Sequence, residues 1–262
     1  MGKIKRCVIV GGGNSIQEGI EKGLWKKLEN EVTFGVNEAF KFFHPTAITF
    51  VDWTFYKCRW EHMLNYPLVI GKFDPAIGFW YRGKGGHKYQ KCPKEDTLEM
   101  IKGSGKYFGK ESIKKGIYSG VLAGLFTTTL AIGLGFDEIY LLGFDMDQKD
   151  GKTHFYQNMN DVGDFIGENN EHRTGVGFNV SGDFNTGVFN NNDDYIQKFW
   201  TPYLEDSDIK IYNVSMSSRI RTFEKIDYDN FFKRIENNEK IDQAQIREEI
   251  RNKIKEQRDS DI

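Results

Sequence analysis

The chain has 262 residues, 39% hydrophobic and 28% charged, with a formal net charge of −2. This is the composition of a globular domain, and it excludes a disordered chain and a uniformly basic protein. No run of about 18 apolar residues is present, so no membrane-spanning helix is expected. The start, Met1-Gly2-Lys3-Ile4-Lys5-Arg6, lacks the apolar stretch and small-residue cleavage site of a signal peptide. Three cysteines (Cys7, Cys58, Cys92) have no metal-ligand spacing and suggest a reducing compartment, so a cytoplasmic location is expected.

In chain order, residues 5–10 read as a buried strand ending in Gly11-Gly12-Gly13-Asn14-Ser15. Residues 16–29 follow with helical spacing at Ile16, Ile20, Leu24 and Leu28. Short apolar runs at 31–37, 47–52 and 67–71 predict three more strands. An apolar helix is predicted over 119–134, the strongest strand over 136–145, a helix near 194–205 and a last strand over 209–213. Short apolar runs alternating with helical stretches predict a Rossmann-like α/β fold. Its sheet is mostly parallel, with helices on both faces.

Two segments interrupt this alternation. Residues 81–117 hold nine Lys and one Arg against four acids, interleaved with Tyr81, Tyr89, Tyr107 and Phe108. Residues 157–192 hold nine Asn and six Gly, the composition of a long flexible lid loop. The expected organisation is therefore a nucleotide-sugar-binding catalytic domain over 1–228, with a basic insertion at 72–117 and the lid at 157–192. A charged helical tail over 229–262, spaced by Ile241, Ile246, Ile250 and Ile254, reads as peripheral.

In an open parallel sheet, ligands sit beyond the carboxyl ends of the strands. Four such ends carry polar residues here: Gly11 to Ser15, Asn37, Asp52 and Asp145. The run Gly11-Gly12-Gly13-Asn14-Ser15 lets backbone approach a phosphate, or is a tight turn with Ser15 as helix cap and Glu18 completing a capping box. A dinucleotide fingerprint would need Gly where Ile16 stands and an acid where Asn37 stands. A P-loop would need Gly at Met146. Ser119 and Gly120 open the mid-chain helix as its cap or as a second anion cradle. Asp145 and Asp147 suit a divalent metal bridging a diphosphate. His154, just past that strand end, suits a general base.

The stretches Val-Ile-Val-Gly-Gly-Gly-Asn-Ser-Ile (8–16), Ser-Gly-Val-Leu (119–122) and Gly-Phe-Asp-Glu-Ile-Tyr-Leu-Leu-Gly-Phe-Asp (135–145) resemble those of the small bacterial sialyltransferases. They are also similar to the central domain of motility-associated flagellin glycosyltransferases. In that domain, a Gly-Gln-Asp…Asp-Gly-x-x-His stretch resembles Asp145 to His154 here. The wider family includes an archaeal 6-hydroxymethylpterin pyrophosphokinase. The resemblance spans roughly residues 5–215 and implies a nucleotide-activated donor lined by Gly13, Asn14, Ser15, Asn37, Asp52, Ser119 and Gly120, with residues 157–192 as the lid. The sialyltransferases carry their base histidine just before the helix preceding the last strand. Here that place is Asn190-Asn191-Asn192-Asp193-Asp194, so His154 or Asp193 takes the role.

The expected function is transfer of a sugar from a nucleotide-sugar to an acceptor hydroxyl, with Gly11, Gly12 and the residues just named on the donor. His154, Asp145 and Asp193 are the catalytic candidates. Arg82, Lys84, Lys88 and Lys91 would meet an anionic acceptor, a hydroxymethylated base in DNA or a glycan. Two alternatives stay open: an ATP- and magnesium-dependent pyrophosphokinase acting on a pterin through Asp145 and Asp147, and a non-catalytic nucleotide-binding module.

Overall fold

The computed structural model describes residues 6–51, 53–73, 79–83, 86–90, 97–102, 109, 112–117, 122–147, 154–158, 200–201, 203–205, 207–236 and 240–259. The strands are β1 (Arg6–Val10), β2 (Thr33–Val36), β3 (Ala47–Phe50), β4 (Val69–Phe73), β5 (Phe79–Gly83), β6 (Gly86–Gln90), β7 (Leu98–Lys102), β8 (Glu138–Leu142), β9 (Lys210–Asn213) and β10 (Glu224–Lys225). The helices are α1 (Ile16–Glu21), α2 (Leu24–Lys27), α3 (Trp53–Met63), α4 (Ser112–Lys115), α5 (Ala123–Gly133), α6 (Tyr228–Ile235) and α7 (Gln243–Asp259).

Eight strands form one sheet in the order β10-β9-β8-β1-β2-β3-β4-β7, and every pairing is parallel. Strand order runs outward from β1 in both directions, so the β1/β8 boundary is the switch point at which a doubly wound sheet opens a crevice. This is the expected Rossmann-like α/β fold.

Alternation along each strand builds a core on both faces. Val8, Val10, Tyr140 and Leu142 pack with α1, α2 and α6, whereas Cys7, Ile9, Phe34, Ile139 and Leu141 pack with α5 and α7. Helix α5 lies in the interior. Leu125, Phe126, Leu130 and Ile132 are fully buried, each side chain contributing roughly 1.5–3 kcal/mol by leaving water. Three consecutive threonines (Thr127, Thr128, Thr129) satisfy their hydroxyls on carbonyls four residues back. The Thr127 hydroxyl also meets that of Thr49 on β3 at 2.7 Å.

Three expectations change. The helix predicted over 16–29 is two short helices, because Gly23 sits at φ +79 between them. The basic stretch is not wholly an insertion: β5 and β6 form a separate antiparallel pair, but β7 is the edge strand of the main sheet. The C-terminal segment is not a peripheral tail. Ile246, Ile250 and Ile254 are buried in the α5 face of the core, and Gln243 bonds the carbonyl of Glu31 at 3.0 Å and the hydroxyl of Thr46 at 2.7 Å. The helix expected near 194–205 shows helical backbone at 200–201 and 203–205. No helix among the described residues is long and apolar enough to cross a membrane.

Candidate active site at the strand switch point

The loop after β1 is fastened to the end of β8 by alternate amides. Gly11 N–H donates to Leu142 O (2.8 Å), Gly13 N–H to Gly143 O (2.9 Å) and Ser15 N–H to Asp145 Oδ2 (2.7 Å). These amides therefore do not form the phosphate cradle expected of them. They zip two strand ends together.

Asp145 is buried, and both of its carboxylate oxygens hold Ser15: Oδ1 accepts the Ser15 hydroxyl at 2.5 Å. Gly13 has to lack a side chain here, since a Cβ would fall 2.6 Å from both Asp145 Oδ2 and Gly143 O. The capping expectation is corrected by the same contact. Ser15 occupies the N-cap position of α1 without a capping side-chain bond, and Glu18 pairs with Lys22 at 3.1 Å.

The expected metal pair is also split. Met146 lies at φ +51, an unusual conformation for a side-chain-bearing residue. The two flanking carboxylates bind different partners across it, Asp145 gripping Ser15 and Asp147 pairing with Arg219 at 2.7 Å. Asp145 and Asp147 do not converge as a ligand set. Among the described residues, no group of three or more His, Cys, Asp or Glu side chains is placed to hold a metal.

His154 lies against the loop after β1. Phe155 N–H donates to Gly12 O at 2.9 Å, which lays the imidazole on the Gly12 backbone. A Cβ on Gly12 would sit 2.4 Å from His154 Cδ2. The ring stacks on Tyr156 (centroids 4.9 Å, 28°), and Tyr156 stacks in turn on Phe42 (5.8 Å, 11°). Burial pushes the Tyr156 phenol up, and the Glu38 carboxylate adds to the effect.

Asn37 ends β2 at φ +51, and its side-chain oxygen is buried with no hydrogen-bond partner among the described residues. Next to it, buried Glu38 accepts from Arg59 Nε at 2.7 Å and pairs with Lys41 at 2.9 Å. Burial lowers the Lys41 ammonium, with Glu38 opposing the shift.

Helix α5 begins at Ala123 with Leu122 in the N-cap position. Its first turn still abuts the crevice. The Phe144 ring lies between Gly124 and Gly11, at 2.5 Å and 3.2 Å from the Cβ positions that those glycines lack.

A third strand end joins the site that the sequence reading did not single out. At the end of β9, Asn213 Nδ2 donates to Phe144 O (3.2 Å) and to Ser218 Oγ (2.9 Å), and Ser218 Oγ donates to Phe144 O (2.7 Å). Arg219 N–H reaches Asp145 O at 2.9 Å. The only signal in the sequence is the Ser-Met-Ser-Ser-Arg run (215–219) at a strand end.

Asp52, Ser119, Gly120, Lys84, Lys91, Asp193 and residues 159–192 lie outside the described residues. In the β5–β6 pair, Arg82 stands opposite His87 and Lys88 opposite Tyr81 in register.

The chain is similar in structure to a monofunctional alpha-2,3-sialyltransferase of Campylobacter jejuni, at 16% sequence identity over 91% of this chain and 84% of that one, with a TM-score of 0.43. No protein-family model matches the sequence, and no curated protein matches it.

Proposed function

We propose that the chain is a glycosyltransferase that uses a nucleotide-sugar donor. The reading is carried by the imidazole of His154 resting on the Gly12 backbone at the β1/β8 switch point. There, a proton acceptor borders a glycine-walled crevice on the side of the sheet where such folds bind their ligands. The donor lies along Gly11, Gly12, Gly13 and Asn14, and the Asn37 carboxamide oxygen accepts from a base or sugar donor group. Asp52, Ser119 and Gly120 complete this wall. Ser15 and Asp145 set its shape and touch no reacting atom.

His154 takes the proton of the acceptor hydroxyl as the oxygen's electron pair attacks the anomeric carbon. The bond from that carbon to the phosphate oxygen breaks, and the nucleotide leaves with the electron pair. Asp193 is the alternative base, and residues 157–192 exclude water that would hydrolyse the donor. Arg82, Lys84, Lys88 and Lys91 face an anionic acceptor, a hydroxymethylated base in DNA or an acidic glycan. If DNA is the acceptor, its binding should fall steeply with salt, and a salt-insensitive interaction, or none, removes that acceptor. The pyrophosphokinase alternative has less support, because Asp145 and Asp147 are turned to separate partners.

The test is release of free nucleotide from a panel of nucleotide-sugars by wild type and His154→Gln, with and without chelator. Wild type should release one nucleotide class, chelator should leave the rate unchanged, and the variant should be at least ~100-fold slower with its fold intact. Equal rates in both proteins move the base from His154 to Asp193; release from no nucleotide-sugar, or only from ATP with magnesium, overturns the reading.

A further inference from the structure

We infer that Arg219 reads an anionic group, a phosphate or a carboxylate, on the ligand of this crevice; the inference rests on the nucleotide-sugar reading above. The loop 214–219 is rigidly built from below. Asn213, Ser218 and the Phe144 carbonyl form a closed, buried set of hydrogen bonds, and Lys225 adds a bond to the Ser218 carbonyl. The Arg219 N–H then bonds the carbonyl of Asp145, the residue whose carboxylate grips Ser15. The Arg219 backbone is thus held in one frame with the glycine loop.

Above this frame the side chains face water. Met216 is 62% exposed, one of two large apolar side chains exposed among the described residues. The Arg219 side chain is 44% exposed, and its Nη2 meets Asp147 Oδ1 at 2.7 Å. An exposed ion pair of this kind adds little to stability, and the loop beneath is already fastened without it. A planar fork with a single carboxylate on one nitrogen keeps donors for a bidentate phosphate or carboxylate. Asp147 orients the fork, and Met216 offers an apolar surface beside it.

The experiment is calorimetric titration of the full chain as wild type, Arg219→Gln and Arg219→Lys. The probes are the mono- and diphosphates of adenosine, guanosine, cytidine, uridine and thymidine, the parent nucleosides, and galacturonate. Substitution leaves the backbone bond to Asp145 in place, and equal thermal midpoints verify the fold. If the group is a donor phosphate, Arg219→Gln loses roughly ten-fold or more in nucleotide affinity, nucleoside affinity is unchanged, and Arg219→Lys recovers part of the loss. If it is a sugar carboxylate, nucleotide affinity holds and galacturonate binding is lost. Affinities equal to wild type for every probe overturn the role of Arg219 and leave the nucleotide reading standing. Binding of no probe by wild type overturns both.

Discussion

Asp145 holds Ser15, 130 positions earlier in the chain, by two hydrogen bonds: 2.7 Å to its N–H and 2.5 Å to its hydroxyl. One buried carboxylate thereby joins the ends of the neighbouring strands β1 and β8. Removing it leaves the Ser15 amide without a partner, so Asp145→Ala should cost about 1–3 kcal/mol. In a double-mutant cycle with Ser15→Ala the losses should be strongly non-additive, because both variants break the same contact. Additive losses in urea midpoints would show that the two side chains act independently.

The glycines of the first loop divide by what a Cβ would meet. At Gly13 it meets a carbonyl and the Asp145 carboxylate, at Gly12 the imidazole. Gly13→Ala should therefore destabilise the fold by about 1–3 kcal/mol. Gly12→Ala should displace His154 and slow turnover at least ~10-fold while unfolding near the wild-type temperature. Thermal melts and donor turnover on both variants check this.

Tyr156 acts on His154 by stacking rather than by a bond to its ring. Tyr156→Phe should keep turnover within about two-fold, whereas Tyr156→Ala should lower kcat more than it changes KM, because the imidazole loses its support. The nuclear magnetic resonance signals of the His154 ring should move strongly only in the Ala variant, which removes the stacked ring.

Glu31 sets a pH dependence at the opposite, amino end of the inner strands. Burial raises its carboxyl to about 7 from the ordinary 4.5; Arg6, at 3.2 Å, opposes the rise and Glu138 adds to it. Between those values the folded state binds the extra proton. Stability therefore falls as pH rises from about 4.5 to about 7 and is flat above, a change on the order of 3 kcal/mol. In Glu31→Gln that slope should disappear. Urea midpoints at pH 5 and 7.5 on both proteins measure it, and equal slopes would assign the dependence elsewhere.

The buried face of α7 makes the C-terminal segment part of the core. Ile250→Ala should cost about 2–4 kcal/mol, against near zero for a solvated tail. Denaturant unfolding decides between these values.

The strands along the sheet's centre were legible because parallel strands buried on both faces appear as short unbroken apolar runs, as in Cys7 to Val10 and Ile139 to Leu142. The convergence of Gly12 and His154 followed from placing strand ends together. What remained hidden depends on tertiary partners. Ser15 looks like a cap from its neighbours, and only the fold brings Asp145 to it. Leu98 and Met100 pair into the main sheet although charged residues surround them. Ile246, Ile250 and Ile254 have helical spacing amid so much charge that only packing shows them buried. Arg219 carries no local motif, and its place is set by Asn213 and Ser218.

The central claim is that a nucleotide-sugar binds over Gly12 against His154. Nuclear magnetic resonance of the labelled full chain, titrated with the nucleotide identified by calorimetry, tests this most directly. Shifts concentrated at Gly11 to Asn14, Asn37 and His154 are predicted. Shifts confined to Arg6 and Glu31 at the amino ends of the strands, or saturating binding that leaves Gly12 and His154 unmoved, would contradict it.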